Sequence, residues 1–159
     1  MKGSYEILRK ALALYVDRDN YCYFYGAKNI VLTDAVMLRL IREEPDYWKR
    51  YTDGQIKRIM DFSRGKIGLD CSAFVGLCVG KMEWSGALIE DCVKYTSPKN
   101  GKAGCVLYKP GHVQLDLGYG YTIGIQKEME TIRIDKIDSI GFTKSGEFKG
   151  YDYTEAVNY

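Results

Sequence analysis

The chain has 159 residues, 46% hydrophobic and 28% charged, an ordinary balance for one soluble globular domain spanning 1–159. A net charge of +2 is too small to argue for nucleic acid as a partner. No apolar run approaches the roughly 18 residues of a membrane span, so no membrane is expected either.

In chain order, residues 4–17 read as a helix capped by Ser4, with Ile7, Leu8, Leu12, Leu14 and Tyr15 at helical spacing. An aromatic run from Tyr21 to Tyr25 follows, extended or looped. A second helix is predicted after Thr33, carrying Val36, Leu40 and Ile41 until Pro45 stops it. Thr52-Asp53-Gly54-Gln55 fits a capping box, and opens a third helix that buries Ile56, Ile59 and Met60. Gly65 and Gly68 bracket a turn that delivers Asp70-Cys71-Ser72. The run from Ala73 to Gly80 is apolar nearly all round, as expected of a helix buried at the centre of a domain.

A short amphipathic piece from Ala87 to Tyr95 closes the helical half, and the period then changes. Cys105 to Tyr108, His112 to Leu117, Tyr121 to Gln126 and Thr131 to Ile134 read as strands, with residues 139–143 as a candidate for another. Gly118-Tyr119-Gly120 supplies a hairpin turn. Helices first and antiparallel strands second predict an α+β fold, with N-terminal helices and a central helix packed on an antiparallel sheet.

Five cysteines are an odd number, without a Cys-x-x-Cys pair, and there is one histidine. No zinc site, other metal or cofactor is expected from that set. Reduced thiols and the absence of a signal-peptide apolar block after Met1 lead to the expectation of a monomer made in the cytoplasm without a signal peptide. Fourteen tyrosines suit packing at the core edge and also flat, hydroxyl-bearing surfaces that hold polar polymers.

Cys71 differs from Cys22, Cys78, Cys92 and Cys105 in position. At the first turn of a helix its sulfur faces free N–H groups and the positive end of the dipole, which lower a thiol pKa and can receive an oxyanion. His112 is the one imidazole that could serve as its base, standing after Pro110-Gly111 at the head of a strand.

Asp70-Cys71-Ser72-Ala73-Phe74-Val75, with Gly104-Cys105-Val106-Leu107-Tyr108-Lys109-Pro110-Gly111-His112-Val113, resembles the NlpC/P60 cysteine peptidases, particularly the compact versions in phage endolysins. The likeness runs from about Tyr21 to Tyr153. It implies a papain-like α+β fold and cleavage of peptidoglycan stem peptides, often next to D-glutamate and diaminopimelate. It also implies Cys71 as nucleophile, His112 as base, Asp70 and Ser72 near the substrate amine, and Tyr23 or Tyr25 at the site. Asp70 and Ser72 serve equally well as helix caps.

Two positions depart from the pattern. Ala73 replaces the usual Gly after the Ser, and Gly124 stands where a polar residue normally orients the imidazole. If residues 118–120 form a three-residue loop, Leu117 pairs with Tyr121 and His112 falls opposite Gln126, with Cβ atoms about 5 Å apart. Gln126 then becomes the expected third catalytic residue, unless it is an exposed strand-end Gln. Asp116 shares the face of His112 but lies about 13 Å along the strand.

The expected activity is that of a cysteine peptidase acting on the cell wall, delivered by a holin or a secretion system. An amidase or acyltransferase on another substrate is one alternative. A degenerate domain that binds wall peptides or a protein partner without turnover, as Gly124 invites, is the other.

Overall fold

In a computed structural model, which describes residues 1–158, the chain runs through β1 (Lys2–Gly3), α1 (Tyr5–Val16), β2 (Tyr21–Tyr23), β3 (Lys28–Val31), α2 (Asp34–Glu43), α3 (Pro45–Trp48), α4 (Asp53–Ser63) and β4 (Ile67–Leu69). It continues through α5 (Cys71–Val79), α6 (Ser85–Glu90), β5 (Cys92–Thr96), β6 (Val106–Lys109), β7 (His112–Gly118), β8 (Tyr121–Gly124), β9 (Arg133–Lys136), β10 (Lys144–Phe148) and β11 (Tyr151–Asp152). The main sheet has the order β5-β10-β6-β7-β8-β9, with every neighbouring pair antiparallel. The expected α+β architecture is therefore present. No described helix is long and apolar enough to cross a membrane.

α5 forms because Asp70 caps it and nearly every side chain on it is apolar; it ends at Gly80, whose φ of +78° a side chain would oppose. Phe74, Val75 and Cys78 are fully buried among Ile7, Ala11, Val113, Leu115 and Ile123. The helix is thus held between α1 and one face of the sheet. A second cluster, around Phe24, Met37 and Trp48, lies under α2 to α4. A third (Leu107, Ile137, Phe142) lies on the opposite face of the sheet, because Leu107 alternates with Val106, which packs toward α5.

The capping box at Thr52 and Gln55 is present, and Thr33 caps α2 through its side chain. Ser4, by contrast, makes no side-chain cap; it is buried, and its N–H donates to the Asp152 carbonyl, tying α1 to the C-terminal segment. Leu12 is exposed, and the buried stripe of α1 is Ile7 and Ala11. α2 ends at Glu43, just before Pro45 as expected, and Pro45 then starts α3 as its first residue. The piece from Ala87 to Tyr95 divides into α6 and the edge strand β5. The strand anticipated at 139–143 is instead β10, after a short 3-10 turn over Ile137–Ser139. A further element had no forecast: β4 pairs with β2 in parallel and with β3 antiparallel, in a three-stranded sheet beside the main one.

Candidate active site

That small sheet positions Cys71. β4 is its middle strand, and its last residue is followed by Asp70 in extended conformation and then by the first turn of α5. Gly68 makes the approach possible: a Cβ there would sit 2.8 Å from both the Ala27 Cβ and a Leu32 methyl. Asp70 accepts the Ala73 N–H at 2.8 Å, the expected cap.

Cys71 lines a cleft of about 520 Å³ together with Tyr23, Tyr25, Lys28 and Tyr108. Its Sγ meets β7 at the beginning of the strand. The thiol donates to the Gly111 carbonyl at 3.9 Å, and the Val113 N–H approaches it from the other side of His112. Burial pushes the thiol pKa up; the Val113 and Ser72 N–H groups and the Lys28 ammonium oppose this, while the Asp70 carboxylate adds to it. The net shift is upward. The lowering expected from the helix end is smaller than the desolvation of a residue only 8% exposed.

His112 opens β7 opposite Lys109, after a turn in which Gly111 has a φ of +80°. Its ring stacks on Phe142, with centroids 6.1 Å apart, and its Nε2 is buried without a hydrogen-bond partner. Burial, with Lys109 adding to it, lowers the imidazole pKa to about 4, against a smaller upward pull from the Gln114 side chain. Thiol and imidazole are therefore both neutral at pH 7. The sulfur meets the strand start at the main chain and not at the imidazole, and Gly111, not His112, lines the cleft beside it.

The tyrosine wall of the cleft is braced from behind. Tyr25 stacks on Tyr47 at 3.7 Å with the rings within 9° of parallel. The hydroxyls of Tyr47 and Tyr51 both donate to Glu128, a carboxylate 7% exposed. Tyr23 is buried beside Tyr47 and Cys71, and its hydroxyl pKa is raised by burial and by the negative groups near it.

No protein-family model matches this sequence, and no curated protein does. Solved structures match by shape. The NlpC/p60 domain of the peptidoglycan hydrolase SagA superposes with a TM-score of 0.55 at 19% identity, over 92% of this chain and 99% of that one. The peptidoglycan hydrolase RipB from Mycobacterium tuberculosis superposes with a TM-score of 0.54 at 15% identity, over 91% of this chain but 65% of that one. The chain has the NlpC/P60 fold.

Within that fold the position of Gly124 acquires a physical reason. β7 and β8 pair with Leu115 opposite Ile123 and Asp116 opposite Thr122, which sets Gln114 opposite Gly124. A Cβ on Gly124 would lie 2.3 Å from the Gln114 Nε2. The missing side chain of β8 is the space that the Gln114 amide fills. Gln114 is fully buried, neither of its amide atoms has a hydrogen-bond partner, and it shares the face of His112 two residues away.

Gln126 makes its contact elsewhere. The predicted register, extended, would set it opposite His112, but β8 ends at Gly124 and the Gln126 amide donates to Asp135 at 3.0 Å. The buried polar residue on the His112 face that sequence reasoning missed is Gln114, and the signal was there: His112, Gln114 and Asp116 alternate as polar residues on one face of an otherwise apolar strand.

A second missed residue is Lys28. Its Nζ lies 3.0 and 2.8 Å from the two Asp70 carboxylate oxygens and 2.8 Å from the Ser72 hydroxyl. Asp70 and Ser72, expected near a substrate amine, are already joined to a cation of the chain itself. Among the described residues, no three His, Cys, Asp or Glu side chains converge as a metal site would require.

Proposed function

We propose that this protein is a cysteine peptidase that hydrolyses peptidoglycan stem peptides once delivered to the cell wall. The observation that carries the reading is Cys71 at the N-terminus of a buried helix, open to a cleft and touching the main chain on both sides of His112. The two neighbours of the same fold are peptidoglycan hydrolases by name, which supports the substrate class.

In the proposed cycle the Cys71 thiol leaves the Gly111 carbonyl and passes its proton to His112 as sulfur bonds to the scissile carbonyl carbon. Such contacts are often loose before substrate binds. N–H groups in the first turn of α5 hold the oxyanion, since a helix start has no partners of its own for them. Collapse breaks the carbon–nitrogen bond, and His112 returns its proton to the leaving amine. Water then adds to the thioester with His112 as base, and the thiol is restored as the acid leaves. Nε2 is buried without a partner, so Nδ1 is the nitrogen assigned to the thiol proton, and Gln114, on the same face of the strand, takes the orienting role.

The test is digestion of defined muropeptides followed by mass spectrometry, with Cys71→Ala as control. New amine termini that disappear in the variant support the reading; intact muropeptides at all enzyme concentrations end it. A non-catalytic binding domain is the second reading, motivated by Gly124; the buried Gln114 side chain, which shares the face of His112, supports the catalytic reading over it.

A further inference from the structure

Next to the nucleophile lies a small site built to hold a cation, and the chain fills it. Asp70 presents about four lone-pair positions, as any carboxylate does. Oδ1 accepts the Ala73 N–H at 2.8 Å, the Ser72 hydroxyl at 3.0 Å and Lys28 at 3.0 Å, and Oδ2 takes Lys28 at 2.8 Å. Lys28 has three N–H donors and three acceptors, the two Asp70 oxygens and the Ser72 oxygen. The set is electrically neutral, the one carboxylate charge being matched by Lys28 on both oxygens. It is also on the cleft wall: Lys28, Asp70, Cys71 and Ser72 all line the cleft, and 38% of the Lys28 side chain remains exposed there.

A peptide carbonyl placed on Cys71 brings the one or two residues on its acyl side within about 10 Å of this ammonium, at about 3.5 Å of chain per residue. A free α-ammonium in that stretch meets a carboxylate whose charge Lys28 already neutralises. It meets a fixed positive charge, and it must compete with Lys28 for Asp70. An acylated nitrogen is neutral and incurs neither cost.

Resting on the peptidase reading above, we propose that Lys28 is a specificity residue: it occupies the cation site of Asp70 and Ser72 from within, so the cleft selects stem peptides whose N-terminal amine is acylated over those that carry a free ammonium. In chemical terms this is the stem peptide still attached to its glycan, not the released peptide. Lys28 acts by charge and does not touch the reacting atoms.

Two stem peptides identical except for a free or an acetylated N-terminus provide the test, with kcat/KM measured for each. Wild type is expected to favour the acetylated peptide by about tenfold or more, since juxtaposed like charges are strongly disfavoured. The preference should fade as pH rises through about 8, where the free α-amine loses its proton. Lys28→Gln should shift the ratio toward the free amine by about tenfold while Lys28→Arg preserves it, whatever either does to the absolute rate. The ratio matters because losing the ammonium beside Cys71 also raises its thiol pKa and slows both substrates.

Equal wild-type rates on the two peptides overturn the inference and leave the peptidase reading intact. So does a preference that neither pH nor Lys28→Gln alters. If wild type cleaves neither, the peptidase reading fails and this inference falls with it. The pH arm uses wild type alone, so a poorly folded variant does not blunt the test.

Discussion

Gln114 and Gly124 face one another across β7 and β8, and the side chain of one occupies the volume denied to the other. Because the two positions are directly opposed, a polar group can reach His112 from either strand but not from both. Gln114→Gly should therefore lower kcat by about tenfold to a hundredfold through a poorly oriented imidazole. Gly124→Gln alone should cost about 1–3 kcal/mol of stability by overpacking. The exchange Gln114→Gly with Gly124→Gln should recover part of both losses. Thermal melting and kcat on a muropeptide read the two effects, and a double variant no better than the worse single one rules the exchange out.

The acid limb of activity follows from the same corner of the site. His112 must be neutral to accept the thiol proton, and burial holds its pKa near about 4 instead of the ordinary 6.5. The acid limb of kcat/KM should accordingly lie near pH 4. Gln114 pulls the imidazole pKa up, so Gln114→Ala should move that limb lower still. A limb at pH 6 to 7 in wild type would mean that the imidazole is solvated during catalysis and that its stacking on Phe142 does not persist there.

How legible all this was in the sequence depended on the range of the interactions. The capping box at Thr52 is local, and α5 announces itself by being apolar all round, so both could be read directly. The three-stranded sheet could not: β2 and β4 have three residues each, too short for any period to show, and pair in parallel across α2 to α4. β5 is an edge strand exposed at four of its five positions, so it carries no alternation to distinguish it from the end of a helix. In the site, the expected register holds at Leu115–Ile123 and Asp116–Thr122, but a bulge pairs Gly118 and not Leu117 with Tyr121, and the ladder stops two residues short of Gln126. Lys28 was silent for another reason. A lysine on a short strand has no motif, and only the fold brings it across forty-two residues to Asp70.

Stability against pH should show two buried groups working in opposite directions. His112 has a folded pKa near about 4, below its ordinary value, so the unfolded chain binds more protons and stability is lost as pH falls from 6.5 toward 4. Asp116 is fully buried and its pKa is raised to about 6, against the smaller downward pull of the Gly118 N–H it accepts, so its contribution is lost as pH rises from about 4 toward 6. Each is worth at most about 3 kcal/mol, and over pH 4 to 6 they largely cancel in wild type. Asp116→Asn should uncover the His112 dependence, and His112→Gln the reverse slope. Urea melts at pH 4, 5 and 6 measure both, and two variants with slopes of the same sign contradict the assignment.

The tyrosine wall offers the last expectation, because its support lies outside the cleft. Tyr25 lines the cleft and Tyr47 stacks behind it, and Tyr47 is fixed in turn by the Glu128 carboxylate that it shares with Tyr51. Removing both hydroxyls in Tyr47→Phe with Tyr51→Phe strands a buried carboxylate, which should cost about 3 kcal/mol or more. Glu128→Gln keeps an acceptor without the charge and should cost less. If the network positions Tyr25, Glu128→Gln should raise KM while leaving the pH profile of His112 unchanged, since neither Glu128 nor Tyr47 contributes to that imidazole's shift. A change in stability alone, with KM unaltered, would assign Glu128 to the fold and not to the cleft. Unfolding curves and KM for the same variants decide between those two outcomes.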